Sequence, residues 1–188
     1  MLVKKENGGT KVYTCRNSIT DIDAIKTASK FDEEINEVFF ANKVILVEGP
    51  EDKIACKLAL EKLGLELDKH NISIIDCGGN TGIKPMVEIL LAFNIDVYVL
   101  MDEDPGNQST QQLISRIRNL IGDKLFLQSP NLEGIFNFDQ IRRDHGIQRN
   151  KFSKEIALKV LPTWFESNSV PPVYESLKNI IGVTNENG

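Results

Sequence analysis

The chain has few of the residues that carry most hydrolytic and metal chemistry: three cysteines, two histidines and one tryptophan among 188 residues. Cys15, Cys56 and Cys77 are odd in number, far apart and without C-x-x-C spacing, which excludes a disulfide framework and a zinc knuckle. His70 and His145 belong to no H-E-x-x-H, so nothing supports a zinc hydrolase, and no Ser-His-Asp or Cys-His arrangement is indicated. No stretch approaches the ~18 apolar residues of a membrane span, and Met1 to Gly9 contain no secretory h-region. Internal repeats and low-complexity tracts are also lacking. On these grounds the chain reads as soluble and cytoplasmic, with no membrane partner. What the sequence does hold is carboxylate: 27 Asp+Glu against 22 Lys+Arg, a formal charge of −5. Any chemistry falls mainly to these acids.

Apolar β-type runs alternate with helix-like segments. Val44–Val47, Ile72–Ile75, Val97–Met101 and Leu125–Leu127 read as buried strands. Between them, 51–63, 86–93 and 111–121 carry apolar residues near helical spacing, with Gly64 a natural stop for the first. Repeated strand–helix–strand units predict an α/β fold with a mainly parallel four-stranded sheet, right-handed crossovers and helices on both faces. Three regions follow: a lead-in segment over 1–42, a sheet domain over 43–136 and a C-terminal helical extension over 137–188. In the last, helices are expected around 139–144, 153–161 and 173–181, and Pro171-Pro172 separates two of them.

Ligands of such sheets bind outside the carboxyl ends of the strands, and acids gather there. Glu48 follows Val47 directly, with Glu51 and Asp52 beyond the Gly49-Pro50 turn; Asp102, Glu103 and Asp104 follow Met101. Like charges brought together cost free energy unless a cation neutralises them, and hard oxygen donors suit Mg²⁺, Mn²⁺ or Ca²⁺. The competing reading makes these acids solvated loop residues or helix N-terminal charges, as Glu51 and Asp52 could be. Glu133, after the fourth strand, brings one more acid near that edge. Gly78-Gly79-Asn80-Thr81-Gly82 is neither a Walker A loop nor G-x-G-x-x-G; it suits a close approach to phosphate or a plain turn. Residues 142–159 carry a surplus of four positive charges in an otherwise acidic chain. That suits a polyanionic substrate whose phosphates need neutralising, with one or two of these side chains touching it and the others forming a solvated helix face.

The pattern strand–Glu-Gly, then strand–Asp-x-Asp, stands here as Val44-Ile45-Leu46-Val47-Glu48-Gly49 and Leu100-Met101-Asp102-Glu103-Asp104. It resembles the Toprim domain of topoisomerases, primases and several nucleases. Phe39-Phe40-Ala41-Asn42-Lys43 ahead of the first motif, Asp52 four residues after Glu48, Asp76-Cys77-Gly78-Gly79-Asn80 and Leu132-Glu133 together resemble the OLD (overcoming lysogenization defect) nucleases more closely. The resemblance implies divalent-metal-dependent cleavage of DNA by a two-metal mechanism. Mg²⁺ or Mn²⁺, one ion or two, would be held by Glu48, Asp52, Asp102, Asp104 and Glu133, with Glu51 and Glu103 outside the ligand set. It also implies a lysine in the helical C-terminal part; Lys154 is the choice, with Lys151 and Lys159 as rivals. Proteins of that family normally place an ABC-type ATPase before the Toprim part; the resemblance therefore implies a C-terminal nuclease portion or a naturally separate nuclease domain, with an ABC-type ATPase as partner and an oligomer formed through it.

A topoisomerase fits poorly, since Tyr13, Tyr98 and Tyr174 stand in no context for a nucleophile. A Toprim RNA-processing nuclease, and a nucleic-acid-binding assembly module inactive without its ATPase, are the alternatives.

Overall fold

The computed structural model describes residues 2–6, 9–13, 38, 40–146 and 154–182. Near the N-terminus β1 (Leu2–Glu6) and β2 (Gly9–Tyr13) form an antiparallel pair within the polar start expected from sequence. The Asn7-Gly8 dipeptide between them is the sequence signal for such a pairing.

The main sheet contains β3 (Lys43–Val47), β4 (Ile72–Asp76), β5 (Asp96–Asp102) and β6 (Leu125–Gln128), in the order β4-β3-β5-β6. Every neighbouring pair is parallel, which is the architecture expected from the strand–helix rhythm. Three helices make the crossovers: α1 (Pro50–Lys62), α2 (Asn80–Ala92) and α3 (Gln108–Ile121). The short α4 (Leu132–Ile135), then α5 (Phe138–His145), α6 (Lys154–Ser167) and α7 (Pro172–Ile181) follow β6.

Side chains alternate across the pleat, so one strand feeds two cores. Ile45 and Val47 of β3 join Tyr98, Leu100 and Phe126 beneath α1, α6 and α7. Val44 and Leu46 join Val97, Val99 and Met101 beneath α2 and α3. Burial on both faces explains the uninterrupted apolar strands. The helices after residue 137 therefore complete one face of the sheet. Phe136, Trp164, Phe165 and Tyr174 pack ring to ring there, and lysines fasten the helix ends. Lys178 Nζ donates to the Leu63 carbonyl at 2.6 Å, and Lys62 Nζ to the carbonyls of Phe165 and Asn168.

Two helices run past prolines that the sequence suggests as boundaries. α2 begins at Asn80, six residues before the Met86 start expected from its apolar spacing, and holds Pro85 inside. The hydrogen bond that Pro85 forgoes is to the carbonyl of exposed Thr81, which water can satisfy. α6 continues through Pro162 to Ser167 instead of ending near Leu161. Here the orphaned carbonyl belongs to Leu158, also exposed.

Candidate active site

The carboxyl end of β3 delivers Glu48 beside the carboxyl end of β5, because the two strands are adjacent and parallel. Glu48 Oε1 accepts the backbone N–H of Asp102 at 2.9 Å. Asp102 Oδ1 in turn accepts the backbone N–H of Leu132, at the start of α4, at 2.8 Å. Main-chain bonds thus tie three strand-end loops together through two carboxylates.

The glycine turn after β4 belongs to this frame. The Glu48 carbonyl accepts the Gly79 N–H at 2.7 Å, and the Val47 carbonyl accepts the Cys77 N–H at 2.9 Å. Gly78 and Gly79 have φ of 66° and 115°, conformations that side chains rarely adopt. A Cβ at Gly82 would lie 2.1 Å from the Cys77 carbonyl oxygen. The turn therefore anchors the backbone of Glu48, the plainer of the two readings that the sequence left open.

Asp52 sits in the first turn of α1 and is nearly inaccessible, at 8% exposure. Its Oδ2 accepts the Gly49 N–H at 3.1 Å, the bond of a helix-capping acid. Its Oδ1 accepts Gln128 Nε2 at 3.2 Å from the end of β6. Asp104 occupies the loop after β5 with φ of 44°, which aspartate tolerates better than most residues. The Asp104 N–H bonds the Pro130 carbonyl at 2.9 Å, and Glu103 N–H the Gln128 carbonyl at 3.0 Å, so the loop stays against the end of β6.

The electrostatics report the crowding. Burial first, then the charges of Asp102 and Glu48, push the Asp52 carboxyl up to about 8. Asp102 is pushed up to about 7, chiefly by burial; the Leu132 N–H opposes the rise, and the charges of Glu48, Asp104 and Glu133 add to it. Glu48 is raised too, mainly by burial, with Asp104 contributing. All five predicted acids thus meet in one electrostatic group centred on Asp102. Among the described residues no lysine or arginine pairs with Glu48, Asp52, Asp102 or Asp104.

Glu133 differs. It is exposed, and its Oε1 accepts Arg142 Nη2 at 3.0 Å, while Arg142 Nη1 reaches Asp139 Oδ1 at 3.1 Å. Arg142 is itself buried, at 8% exposure. Arg142 is therefore not an exposed member of the basic 142–159 segment: its guanidinium is held by the two carboxylates that it bridges. Arg143 and Lys159 are exposed. Arg149 and Lys151 lie outside the described residues. Lys154 opens α6, and the description of its side chain also lies outside them.

A divalent cation fits this site by chemistry: hard oxygen donors at neighbouring strand ends, whose mutual repulsion a cation would relieve. Among the described residues, no three Asp, Glu, His or Cys side chains are gathered as a ready metal cage. Ligation would therefore draw the acids closer together, while the main-chain bonds to Glu48, Asp52 and Asp102 stay in place.

With this geometry in view, the comparisons are specific. Residues 39–104 match the family of overcoming lysogenization defect protein-like TOPRIM domains. The chain carries an OLD-like Toprim domain. An OLD nuclease of Thermus scotoductus is 28% identical over 177 residues, covering 82% of this chain and 32% of that protein. The chain thus spans about a third of the length of that curated relative. The C-terminal region of the Burkholderia pseudomallei OLD protein superposes with a TM-score of 0.53 at 18% identity, covering 76% of this chain and 97% of the other. The corresponding region of the Xanthomonas campestris pv. campestris OLD protein gives 0.52 at 18%, covering 77% and 96%. At that identity the likeness is one of fold. The Toprim match ends at Asp104, so Gln128, Glu133 and Arg142 enter the site through the structure.

Gln128 is the member that sequence reasoning missed, and Arg142 is expected there only as one positive charge of the 142–159 segment. An amide closing the apolar run Leu125–Leu127 is the only trace of Gln128. For Arg142 the signal is its i, i+3 spacing from Asp139.

Proposed function

We propose that this Toprim domain is a divalent-metal-dependent endonuclease that cleaves DNA phosphodiester bonds. The observation that carries the reading is the convergence of Glu48, Asp52, Asp104 and Glu133 on Asp102, with the first three and Asp102 itself left without a described basic partner. The OLD nuclease relative supports the same activity class. Glu48, Asp52, Asp102 and Asp104 would hold Mg²⁺ or Mn²⁺, one ion or two, with Glu133 completing the set. Such ions supply Lewis acidity and an activated water for in-line displacement at phosphorus.

The residues divide that work. Glu48 and Asp102, braced by main-chain N–H groups, keep their carboxylates in register with the strand ends. Asp52 contributes from a buried position that excludes water. Lys154, at the start of α6, is assigned the positive charge that meets the phosphate in the transition state. An ABC-type ATPase partner belongs to the same proposal, as does oligomerisation through it.

Plasmid nicking with Mn²⁺ tests the reading. The chain should relax supercoiled DNA, and Asp102→Ala should reduce the rate on the order of 10³-fold while the protein stays folded. Lys154→Ala should slow single-turnover cleavage by more than it weakens DNA binding. Wild-type nicking by folded Asp102→Ala would remove Asp102 from the mechanism. Cleavage of RNA with DNA left intact would transfer the assignment to RNA processing.

A further inference from the structure

Beneath Asp52 the fold buries two polar atoms that have no hydrogen-bond partner: Gln128 Oε1 and the Tyr174 hydroxyl oxygen. Both residues are inaccessible, at 0% exposure. Gln128 closes β6 and Tyr174 lies in the first turn of α7, and those two elements pack together. One atom is an acceptor and the other carries a donor, so they are complementary in kind. Leaving both unmet inside a packed core is costly, and native folds rarely do so.

Gln128 bonds Asp52 directly, and Tyr174 lies within the field of the same acid. Gln128 spends its amide donor on Asp52 Oδ1 at 3.2 Å. Burial raises the Tyr174 hydroxyl well above its ordinary range, and the charges of Asp52 and Asp102 add to it. No basic side chain stands in that account, and the aromatic cluster around Tyr174 closes the space off from solvent.

We infer that Gln128 and Tyr174 are positioning residues for Asp52: the Gln128 amide serves the Asp52 carboxylate, and the Tyr174 hydroxyl, which does not bond Gln128 Oε1 as the two side chains now stand, serves it once they adjust. The inference rests on the metal-site reading of Asp52. The chain runs from the core to the site, and each member fixes the next. Gln128 sets which way Asp52 Oδ1 is held, while Gly49 N–H holds Oδ2. Tyr174 fixes which way round the Gln128 amide sits, since a flipped amide would set its oxygen against Asp52. A carboxylate held at both oxygens presents its remaining lone pairs to a cation without rotamer searching, as outer-shell partners do for metal ligands.

The experiment uses Gln128→Met, Tyr174→Phe and the double variant. Mn²⁺ binding is followed by the EPR signal of the free ion, and folding by thermal melting without metal. Gln128→Met preserves volume and should weaken Mn²⁺ binding about tenfold. Tyr174→Phe removes one oxygen and keeps the ring packing; it should weaken Mn²⁺ binding roughly threefold while the metal-free melting temperature holds or rises. In the Gln128→Met background the same change should have no further effect, because Tyr174 acts through Gln128. An equal loss in both backgrounds, or unchanged binding in folded Tyr174→Phe, overturns the inference while the metal site stands. Absence of Mn²⁺ binding by the wild-type chain overturns the metal site and the inference together.

Discussion

Strand β5 carries an aspartate at each end, and the two are treated in opposite ways. At the amino end, Asp96 is paired with Lys124 and accepts the Tyr98 hydroxyl at 2.8 Å. Lys124 also stands over the Tyr98 ring, 5.3 Å from its centroid. At the carboxyl end, Asp102 has one main-chain N–H and three neighbouring acids. The same strand thus ends in a neutralised acid on one side and, on the other, in an acid with no basic partner among the described residues. A fold that needed only stability would treat both ends like the first. The second stores repulsion at the edge where α/β sheets bind ligands.

Metal should separate the two ends most strongly. At a Mn²⁺ concentration near a hundred times the dissociation constant, the wild-type chain should gain about 2.7 kcal/mol, read as a rise in melting temperature. Asp96→Asn should retain that rise and Asp102→Ala should lose it. A metal-induced rise of wild-type size in Asp102→Ala would erase the distinction.

Acidity is the next lever. Asp52 and Asp102 have folded-state pKa values of about 8 and about 7, above the ordinary carboxylate range. A raised carboxyl binds its proton more tightly in the folded state, so its contribution is complete below pH ~4 and fades as pH rises through the folded value. Metal-free protein should therefore lose stability between pH 5 and 8, on the order of 2 kcal/mol. Asp102→Asn should flatten the curve and raise the melting temperature at pH 8. Melts in EDTA across that range decide it; stability that climbs with pH would contradict the crowding at this edge.

The smallest effect belongs to the amino end. Lys124→Met should cost about 0.5–1 kcal/mol, because the pair with Asp96 is about a third exposed and solvent screens it. High salt should shrink the difference between wild type and variant in thermal melts. A large loss that persists in salt would show that Lys124 acts by packing instead.

The sequence carried this comparison only in part. Glu48 and Asp102 are legible because each directly follows an apolar run, and in a parallel sheet such positions share an edge. Asp52 is legible as an acid near that edge, yet its spacing fits a helix cap equally well, and the structure gives it both surroundings. Gln128 is not legible: whether an amide at a strand end faces solvent or a carboxylate depends on β6 lying beside β5, a long-range pairing. Arg142 misleads for the same reason, since its charge reads as surface until Glu133 and Asp139 are brought to it. The helix ends at Asn80 and Ser167 were hidden by Pro85 and Pro162, whose cost depends on whether one carbonyl faces water.

The strut between Glu48 and β5 is made by the main chain of residue 102 and not by its side chain. Every amino acid but proline supplies that N–H, so the tie between β3 and β5 survives changes that delete the central charge, and only the bond to the Leu132 N–H is lost. Under the proposed function, a single-codon replacement of Asp102 would turn a cutting domain into one that keeps its β3–β5 edge and grips nucleic acid without breaking it. Non-cleaving relatives of this domain are then one mutational step away and require no refolding, and a glutamate still bonded to the backbone at the equivalent of residue 102 would mark their ancestry.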